Sequence, residues 1–213
     1  MSQAGLRVAV LVSGEGTNLQ AILDSVHGRE GIEVVGVASS RPGARALERA
    51  RAAGVETAVF AAGDHHDRSA RDAALERWLV ERDVGLVVLA GFMELLSPPF
   101  CERFKQRIIN VHPALLPAFR GLRAIERAVE QGVKVTGVTV HFVDEGVDSG
   151  PIILQRAIEL AYPAAIEEIE RRIHEIEHEL LPEAIRLIAC GAVRVDPSSP
   201  RRVLIEDSTD ARG

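Results

Sequence analysis

Cysteine, long apolar runs and a positive charge excess are all missing from this chain. Only two of its 213 residues are cysteine, Cys101 and Cys190, and they lie in no metal-ligand or redox spacing. A disulfide framework is therefore excluded as the basis of the fold, and we expect reduced thiols. No uninterrupted apolar run approaches the ~20 residues that a helix needs to cross a bilayer, so we expect no membrane partner.

The charge balance limits the partners that the chain can bind. Lys and Arg number 25 against 31 Asp and Glu, which gives a formal net charge of -6. This acidity disfavours broad binding to nucleic acid, so an anionic ligand must be held by a local site. The first residues lead straight into a predicted strand, without a basic and then apolar signal segment, and we expect a cytoplasmic protein.

Predicted strands and helices alternate along the chain. The first strand, Leu6–Val12, is a β-branched apolar run typical of a strand buried on both faces of a parallel sheet. Further strands are predicted at residues 33–38, 55–60, 84–90, 110–112 and, as the final long strand, 133–143. Helices are predicted at residues 19–23, 44–53, 73–82, 99–106 and 122–131, and a last helical region begins at residue 166 and is closed by Gly191. This order predicts an α/β fold with a doubly wound, mostly parallel twisted sheet flanked by helices, Rossmann-like in its N-terminal half.

We expect a single domain over residues 1–213 with two halves. About residues 1–100 form the Rossmann-like half, about 101–195 the second half, and 196–213 a C-terminal hairpin and tail. The long amphipathic helix that begins at residue 166 should pack on the sheet. We expect Pro182 to interrupt its pattern and Cys190 to lie in the core at the helical end.

The first strand is followed by a glycine turn and a helix start, in the segment Ser13-Gly14-Glu15-Gly16-Thr17-Asn18. Free backbone N–H groups at a helix N-terminus favour an anion. The segment has no Walker lysine, and Leu19 replaces the third glycine of a dinucleotide fingerprint, so a monophosphate fits better than NAD or ATP. The alternative is a plain turn in which Ser13 or Thr17 caps the helix.

A later strand carries Asn110 and His112, which project to one side because alternate side chains of a strand share a face. An amide beside an imidazole suits acyl transfer, in which the amide holds the oxyanion and the imidazole moves a proton. Asp148 would complete the set by favouring protonated His112. Two alternatives remain: a structural role at the strand end, or a metal site formed with His141 and Asp144. His141 is expected to be structural beside the site.

Two further loops are candidates for ligand contacts. The polar residues 64–72 are expected to form a loop, in which Arg68 could bind an acidic ligand or pair with Asp64 or Asp72. The apolar segment from Phe92 to Leu96 follows a buried strand, where a loop could cover a flat ring.

Four segments in order resemble the folate-dependent phosphoribosylglycinamide formyltransferase family. They are residues 13–22, 89–93, 110–117 and 141–152, and the likeness extends from about Val8 to about Val195. The resemblance implies direct transfer of the formyl group of 10-formyltetrahydrofolate, as co-substrate, to the amine of glycinamide ribonucleotide. It implies no metal, small-molecule partners and a monomer or homodimer.

The resemblance also implies roles for individual residues. Asn110 and His112 match the catalytic pair that holds the oxyanion, and Asp148 matches the aspartate that raises the histidine pKa. The residues that match ribonucleotide contacts are Gly16, Thr17, Asn18 and Glu177. The residues that match folate contacts are Arg68, Met93, Glu94, Leu95, Leu96, Asn110, Asp144 and Asp148.

The chain departs from the family at two places, and three rival functions remain. Glu94 stands where some members carry a basic residue, and the segment Leu122-Arg123-Ala124-Ile125 lacks the histidines often seen there. Length and acidity disfavour a methionyl-tRNA formyltransferase. The rivals are a formyltetrahydrofolate hydrolase, a formyltransferase for another amine, and a non-catalytic nucleotide-binding module.

Overall fold

The computed structural model describes residues 5–163 and 165–206, and the expected C-terminal tail beyond them lies outside the described residues. The strands are Leu6–Val12 (β1), Ile32–Ser39 (β2), Thr57–Val59 (β3), Leu86–Leu89 (β4), Ile108–His112 (β5), Val135–Phe142 (β6), Ile152–Glu159 (β7), Val193–Val195 (β8) and Val203–Ile205 (β9). The α-helices are Thr17–Ser25 (α1), Arg45–Ala52 (α2), Arg68–Glu81 (α3), Pro98–Arg103 (α4), Ala124–Glu130 (α5) and Ile166–Ala189 (α6).

Seven strands form one sheet in the order β3-β2-β1-β4-β5-β6-β7. β1 pairs in parallel with β2 and β4, and the pairs β2–β3 and β4–β5 are also parallel. The apolar Leu6–Val12 run is suited to lie inside such a sheet, and Val8 to Val12 are indeed fully buried. The predicted fold class, a mostly parallel sheet flanked by helices, is confirmed.

The chain divides into two compact units, with the boundary between Asn110 and Val111 inside β5. In the first unit, β1 to β4 carry the apolar core, and α1 and α2 add Leu19, Ile22 and Leu47 to it. In the second unit, β6 and β7 pair as antiparallel strands, and α6 packs its buried face against them. The predicted C-terminal hairpin is present as β8 and β9.

Two predictions about the middle of the chain were wrong. Helix α3 begins at Arg68 rather than at residue 73, because the Asp67 side chain caps it by accepting a 2.8 Å hydrogen bond from the Ala70 N–H. Strand β6 is not the final strand of the large sheet, since β7 follows it. β7 carries Gln155 and Arg156 between half-buried apolar residues, so its hydrophobic pattern is weak.

Two predictions about the long helix were also wrong. Helix α6 continues through Pro182, because six other buried apolar residues along its length offset the ~3 kcal/mol cost of an internal proline. Cys190 is exposed at the helix C-cap, whereas Cys101 is buried, and neither cysteine forms a disulfide bond. Among the described residues, no helix combines the length and apolar character needed to cross a membrane.

Candidate active site

His112 is the last residue of β5 and lies against Asp148, which follows β6 in the chain. The His112 Nδ1 atom is 3.3 Å from Asp148 Oδ2, and the two side chains are only 6% and 13% exposed. On its other side, the His112 Nε2 atom is 2.9 Å from the carbonyl oxygen of Phe119. The structure therefore brings together two of the three residues that the sequence proposed for acyl transfer.

Asn110 lies two residues before His112 in β5 and is half-buried. Its backbone pairs with Leu89 of β4. Because alternate residues of a strand point to the same face, the Asn110 amide and the His112 ring project from one side of β5.

The contacts of the His112 ring determine which nitrogen carries the proton. The Phe119 carbonyl can only accept a hydrogen bond, so Nε2 must be the donor in that contact. In the neutral ring, Nδ1 then carries the lone pair and faces Asp148. A proton added at Nδ1 would meet the carboxylate, which makes Nδ1 the basic position of the ring.

The pKa values of His112 and Asp148 are both lower than their ordinary values. Burial lowers the pKa of His112, and the Asp148 charge and the Phe119 carbonyl, which raise it, do not offset that effect. The Asp148 carboxylate by itself raises the pKa of His112, as expected, but burial outweighs that effect. Burial alone would raise the pKa of Asp148, but hydrogen bonds from His141 and Gly121 and the charge of His112 lower it to about 2.

His141 and Asp144 support the turn that carries Asp148. The His141 Nε2 atom lies 3.6 Å from Asp148 Oδ1, and the ring is 2% exposed. Asp144 Oδ1 accepts hydrogen bonds from the Gly146 N–H at 3.1 Å and from the Ser149 hydroxyl at 2.5 Å. Within residues 5–163 and 165–206, no group of three or more His, Cys, Asp and Glu side chains is placed to hold a metal ion.

The glycine turn before α1 has a backbone conformation and a close packing contact that both require glycine. Gly16 is the N-cap of α1 with φ 76°, a left-handed conformation. A Cβ atom at Gly16 would lie 2.6 Å from the Ala46 Cβ atom, so the close approach of α2 also requires glycine. The capping alternative is wrong, because α1 has no side-chain cap and the Ser13 hydroxyl instead lies 2.7 Å from the Ser40 hydroxyl.

A pocket of about 440 Å³ in the first unit contains most of the predicted folate residues of that unit. The residues that line it are Ala62, His65, His66, Asp67, Arg68, Arg71, Met93, Glu94 and Leu95, so Leu96 is not among them. Sequence reasoning missed Arg71 and the two histidines as pocket residues. The sequence signal that could have revealed Arg71 is Asp67, a good N-cap residue. A helix that begins at Arg68 places Arg68 and Arg71, three residues apart, on one face.

Arg71 explains how Glu94 is accommodated in this pocket. The Arg71 guanidinium is buried and binds Asp72 at 2.7 Å and Glu94 at 3.2 Å. It also donates a 2.7 Å hydrogen bond to the Leu95 carbonyl. Asp72 therefore pairs with Arg71, whereas the sequence offers Arg68 as an alternative partner of Asp72. Glu177, the remaining predicted residue, is 5% exposed on α6.

Comparison with known proteins identifies the family. The family described as formyl transferase matches residues 6–185 of the chain. The phosphoribosylglycinamide formyltransferase of Haemophilus influenzae is 40% identical over 190 residues, which cover 89% of this chain and 90% of that protein. The crystal structure of glycinamide ribonucleotide transformylase 1 from Symbiobacterium toebii has a TM-score of 0.92 at 48% identity, covering 97% of this chain and 96% of that one.

Some relatives are much longer. The trifunctional purine biosynthetic protein adenosine-3 of Gallus gallus is 43% identical over 191 residues, but the chain covers only 19% of its length. The chain thus spans about a fifth of that relative. Because the family match covers most of this chain and a relative of similar length is 40% identical, the chain belongs to the formyl transferase family.

Proposed function

We propose that this chain transfers the formyl group of 10-formyltetrahydrofolate to the amine of glycinamide ribonucleotide in purine biosynthesis. The observation that carries the proposal is the contact of His112 with Asp148 at the end of β5, in a chain of the formyl transferase family. The relatives of similar length are named for this reaction. A cytoplasmic location and a monomeric or homodimeric state belong to the same proposal.

His112 is the proton carrier in this proposal. The amine attacks the formyl carbon while it is neutral, and a new C–N bond forms. The lowered pKa of His112 keeps its ring neutral at pH 7, so the ring can take the proton that the attacking amine releases. The imidazolium that forms is stabilised by the Asp148 carboxylate, which stays ionised. His112 then gives this proton to the folate nitrogen as the bond between that nitrogen and the formyl carbon breaks.

Asn110 is the oxyanion donor in this proposal. Attack on the formyl group places negative charge on its oxygen, and an amide N–H held in position stabilises that charge without reorganising. The position of Asn110 on one side of β5 with His112 supports this assignment. From the sequence we expect a His112 ring that is already protonated. In this proposal His112 begins the reaction neutral and becomes the second oxyanion donor only after it has taken the proton.

The substrates are assigned to sites supported by local geometry. The α1 start at Gly16, Thr17 and Asn18 suits the ribonucleotide phosphate, because its first N–H groups have no side-chain cap. Glu177 is assigned to the ribonucleotide as well. The folate contacts are assigned to the pocket residues Arg68, Met93, Glu94 and Leu95, with the neighbouring Leu96, and to Asn110, Asp144 and Asp148.

A folate-absorbance assay with and without glycinamide ribonucleotide tests the proposed function. We expect conversion of the formyl folate only when the ribonucleotide is present, with formylated ribonucleotide formed in equal amount. Conversion without the ribonucleotide would identify a hydrolase. Conversion only with a different amine would identify another transferase, and binding without any conversion would identify a non-catalytic module.

Substitution of Gly16 by Ala tests the phosphate site. The added methyl group meets Ala46 and forces an L residue into a left-handed conformation, so the N-terminus of α1 must shift. We expect KM for the ribonucleotide to rise at least about tenfold while KM for the folate changes little. Gly43→Ala is the matched control, because a Cβ atom there meets nothing within 4 Å. An equal rise of both KM values in Gly16→Ala would contradict the assignment.

A further inference from the structure

We propose that Arg127 is a positioning residue for the His112–Asp148 pair and acts through the loop of residues 119–123. The kinetic part of this inference depends on the proposed function. The structural part does not, because it concerns how one loop orients two side chains of the free protein.

The loop contacts both members of the pair through its backbone. The Phe119 carbonyl accepts a hydrogen bond from His112 Nε2 at 2.9 Å. The Gly121 N–H donates a 2.8 Å hydrogen bond to Asp148 Oδ2, the same oxygen that faces the His112 ring. A shift of this short segment would therefore move the histidine and the carboxylate together and would release the proton on Nε2.

The backbone of the loop does not favour this conformation by itself. Phe119 has φ 51°, Gly121 has φ 80° and Arg123 has φ 57°, which are left-handed values at three of five consecutive residues. Such values cost energy for residues other than glycine, so contacts from outside the loop must hold them.

Arg127, on α5, provides these contacts. Its Nη1 atom donates a 2.6 Å hydrogen bond to the Arg120 carbonyl and lies 3.5 Å from the Leu122 carbonyl. Its guanidinium carbon lies 5.8 Å from the centroid of the Phe119 ring, within the range of a cation–π contact. One side chain thus contacts Phe119, Arg120 and Leu122, on both sides of Gly121.

Arg127 also acts on His112 through its charge. The charged or titratable groups that act electrostatically on the His112 ring are Asp148 in the turn after β6, His141 on β6 and Arg127 on α5. Asp148 raises the pKa of His112, whereas Arg127 and His141 lower it, and burial lowers it most. Removing the guanidinium removes a charge that lowers the pKa of His112, but a loosened loop also loses the Phe119 hydrogen bond, which raises that pKa by more. The net effect should be a lower pKa of His112. A lysine at this position separates the two effects, because it keeps the charge but not the planar group.

The test compares Arg127→Ala and Arg127→Lys with Arg171→Ala. Arg171 is a matched control because it is an exposed helical arginine whose partners, Glu168 and Glu175, lie on its own helix. Nitrogen-15 NMR of the His112 ring, assigned by its loss in His112→Ala, reports the tautomer and the ionisation pH without any substrate. Circular dichroism checks that each variant is folded.

We expect wild type and Arg171→Ala to hold the neutral His112 ring with its proton on Nε2. Arg127→Ala should show a mixture of tautomers, a lower ionisation pH, and kcat reduced by about 10- to 10²-fold at little changed KM, since a misplacement of about 1 Å can cost ~10²-fold. Arg127→Lys should also show mixed tautomers, and its ionisation pH should lie no higher than that of Arg127→Ala, because it keeps the charge that lowers the pKa of His112.

Two results would overturn the proposal. One is a His112 ring in Arg127→Ala with the tautomer and ionisation pH of wild type, whatever the activity. The other is an Arg127→Lys variant with the tautomer and kcat of wild type. That result would mean that Arg127 acts only through its charge. If Arg127→Ala does not fold, Arg127→Lys decides the matter by its tautomer. A wild-type protein with these NMR properties but no transferase activity would refute the proposed function alone.

Discussion

His112→Ala and Asn110→Ala should each lower kcat by about 10²–10³-fold, the usual effect of removing one group that stabilises a developing oxyanion. In His112→Ala the amine proton also loses its acceptor, so this variant should be the slower of the two. KM for the ribonucleotide should change little, because neither residue is assigned to the phosphate site. Steady-state rates from the folate-absorbance assay measure both constants.

Matched substitutions separate the chemistry from the fold. Asn110→Asp keeps the size of the side chain but replaces the amide donor with an acceptor, so it should be as slow as Asn110→Ala. His27→Ala is a control for the loss of a histidine outside the proposed site; its Nδ1 only accepts a 3.1 Å hydrogen bond from the Val34 N–H. Near wild-type kcat in either Asn110→Ala or His112→Ala would remove that residue from the mechanism.

The sequence was sufficient for the parts of the site that follow from local periodicity. The buried Leu6–Val12 strand, the glycine turn after it and the common face of Asn110 and His112 all depend on residues close in sequence. The pairing of His112 with Asp148, separated by more than thirty residues, was proposed from chemistry and could only be measured in three dimensions. The 3.3 Å contact agrees with that proposal.

The features that the sequence did not reveal depend on tertiary contacts. Burial decides the direction of the His112 pKa shift, and burial of a strand end cannot be read from its neighbours in sequence. In the sequence, Arg71 and Arg127 look like ordinary surface arginines. In the folded chain, Arg71 forms an ion pair with Glu94 in a pocket, and Arg127 contacts a loop with left-handed backbone conformations. Their roles depend on partners that only the folded chain brings near.

Asp148→Asn should lower kcat by about 10²-fold or more, because the imidazolium of His112 loses the charge that stabilises it. The variant keeps the size of the side chain and can still accept the Gly121 N–H. Because the Asp148 charge raises the pKa of His112, its removal should lower that pKa further and move the acid limb of kcat/KM to lower pH. An acid limb at unchanged or higher pH would contradict the assignment.

The same substitution should change how stability depends on pH. The pKa of Asp148 is about 2 in the folded chain, below its ordinary value of 3.8, so the ionised carboxylate contributes stability above pH 3.8. That contribution, on the order of 2 kcal/mol, is lost as the pH falls toward about 2. Urea unfolding between pH 6 and pH 3 should therefore show the free energy of unfolding of wild type approaching that of Asp148→Asn below about pH 4. A difference that stays constant over this range would mean that the carboxylate is not held in its charged form by His141, Gly121 and His112.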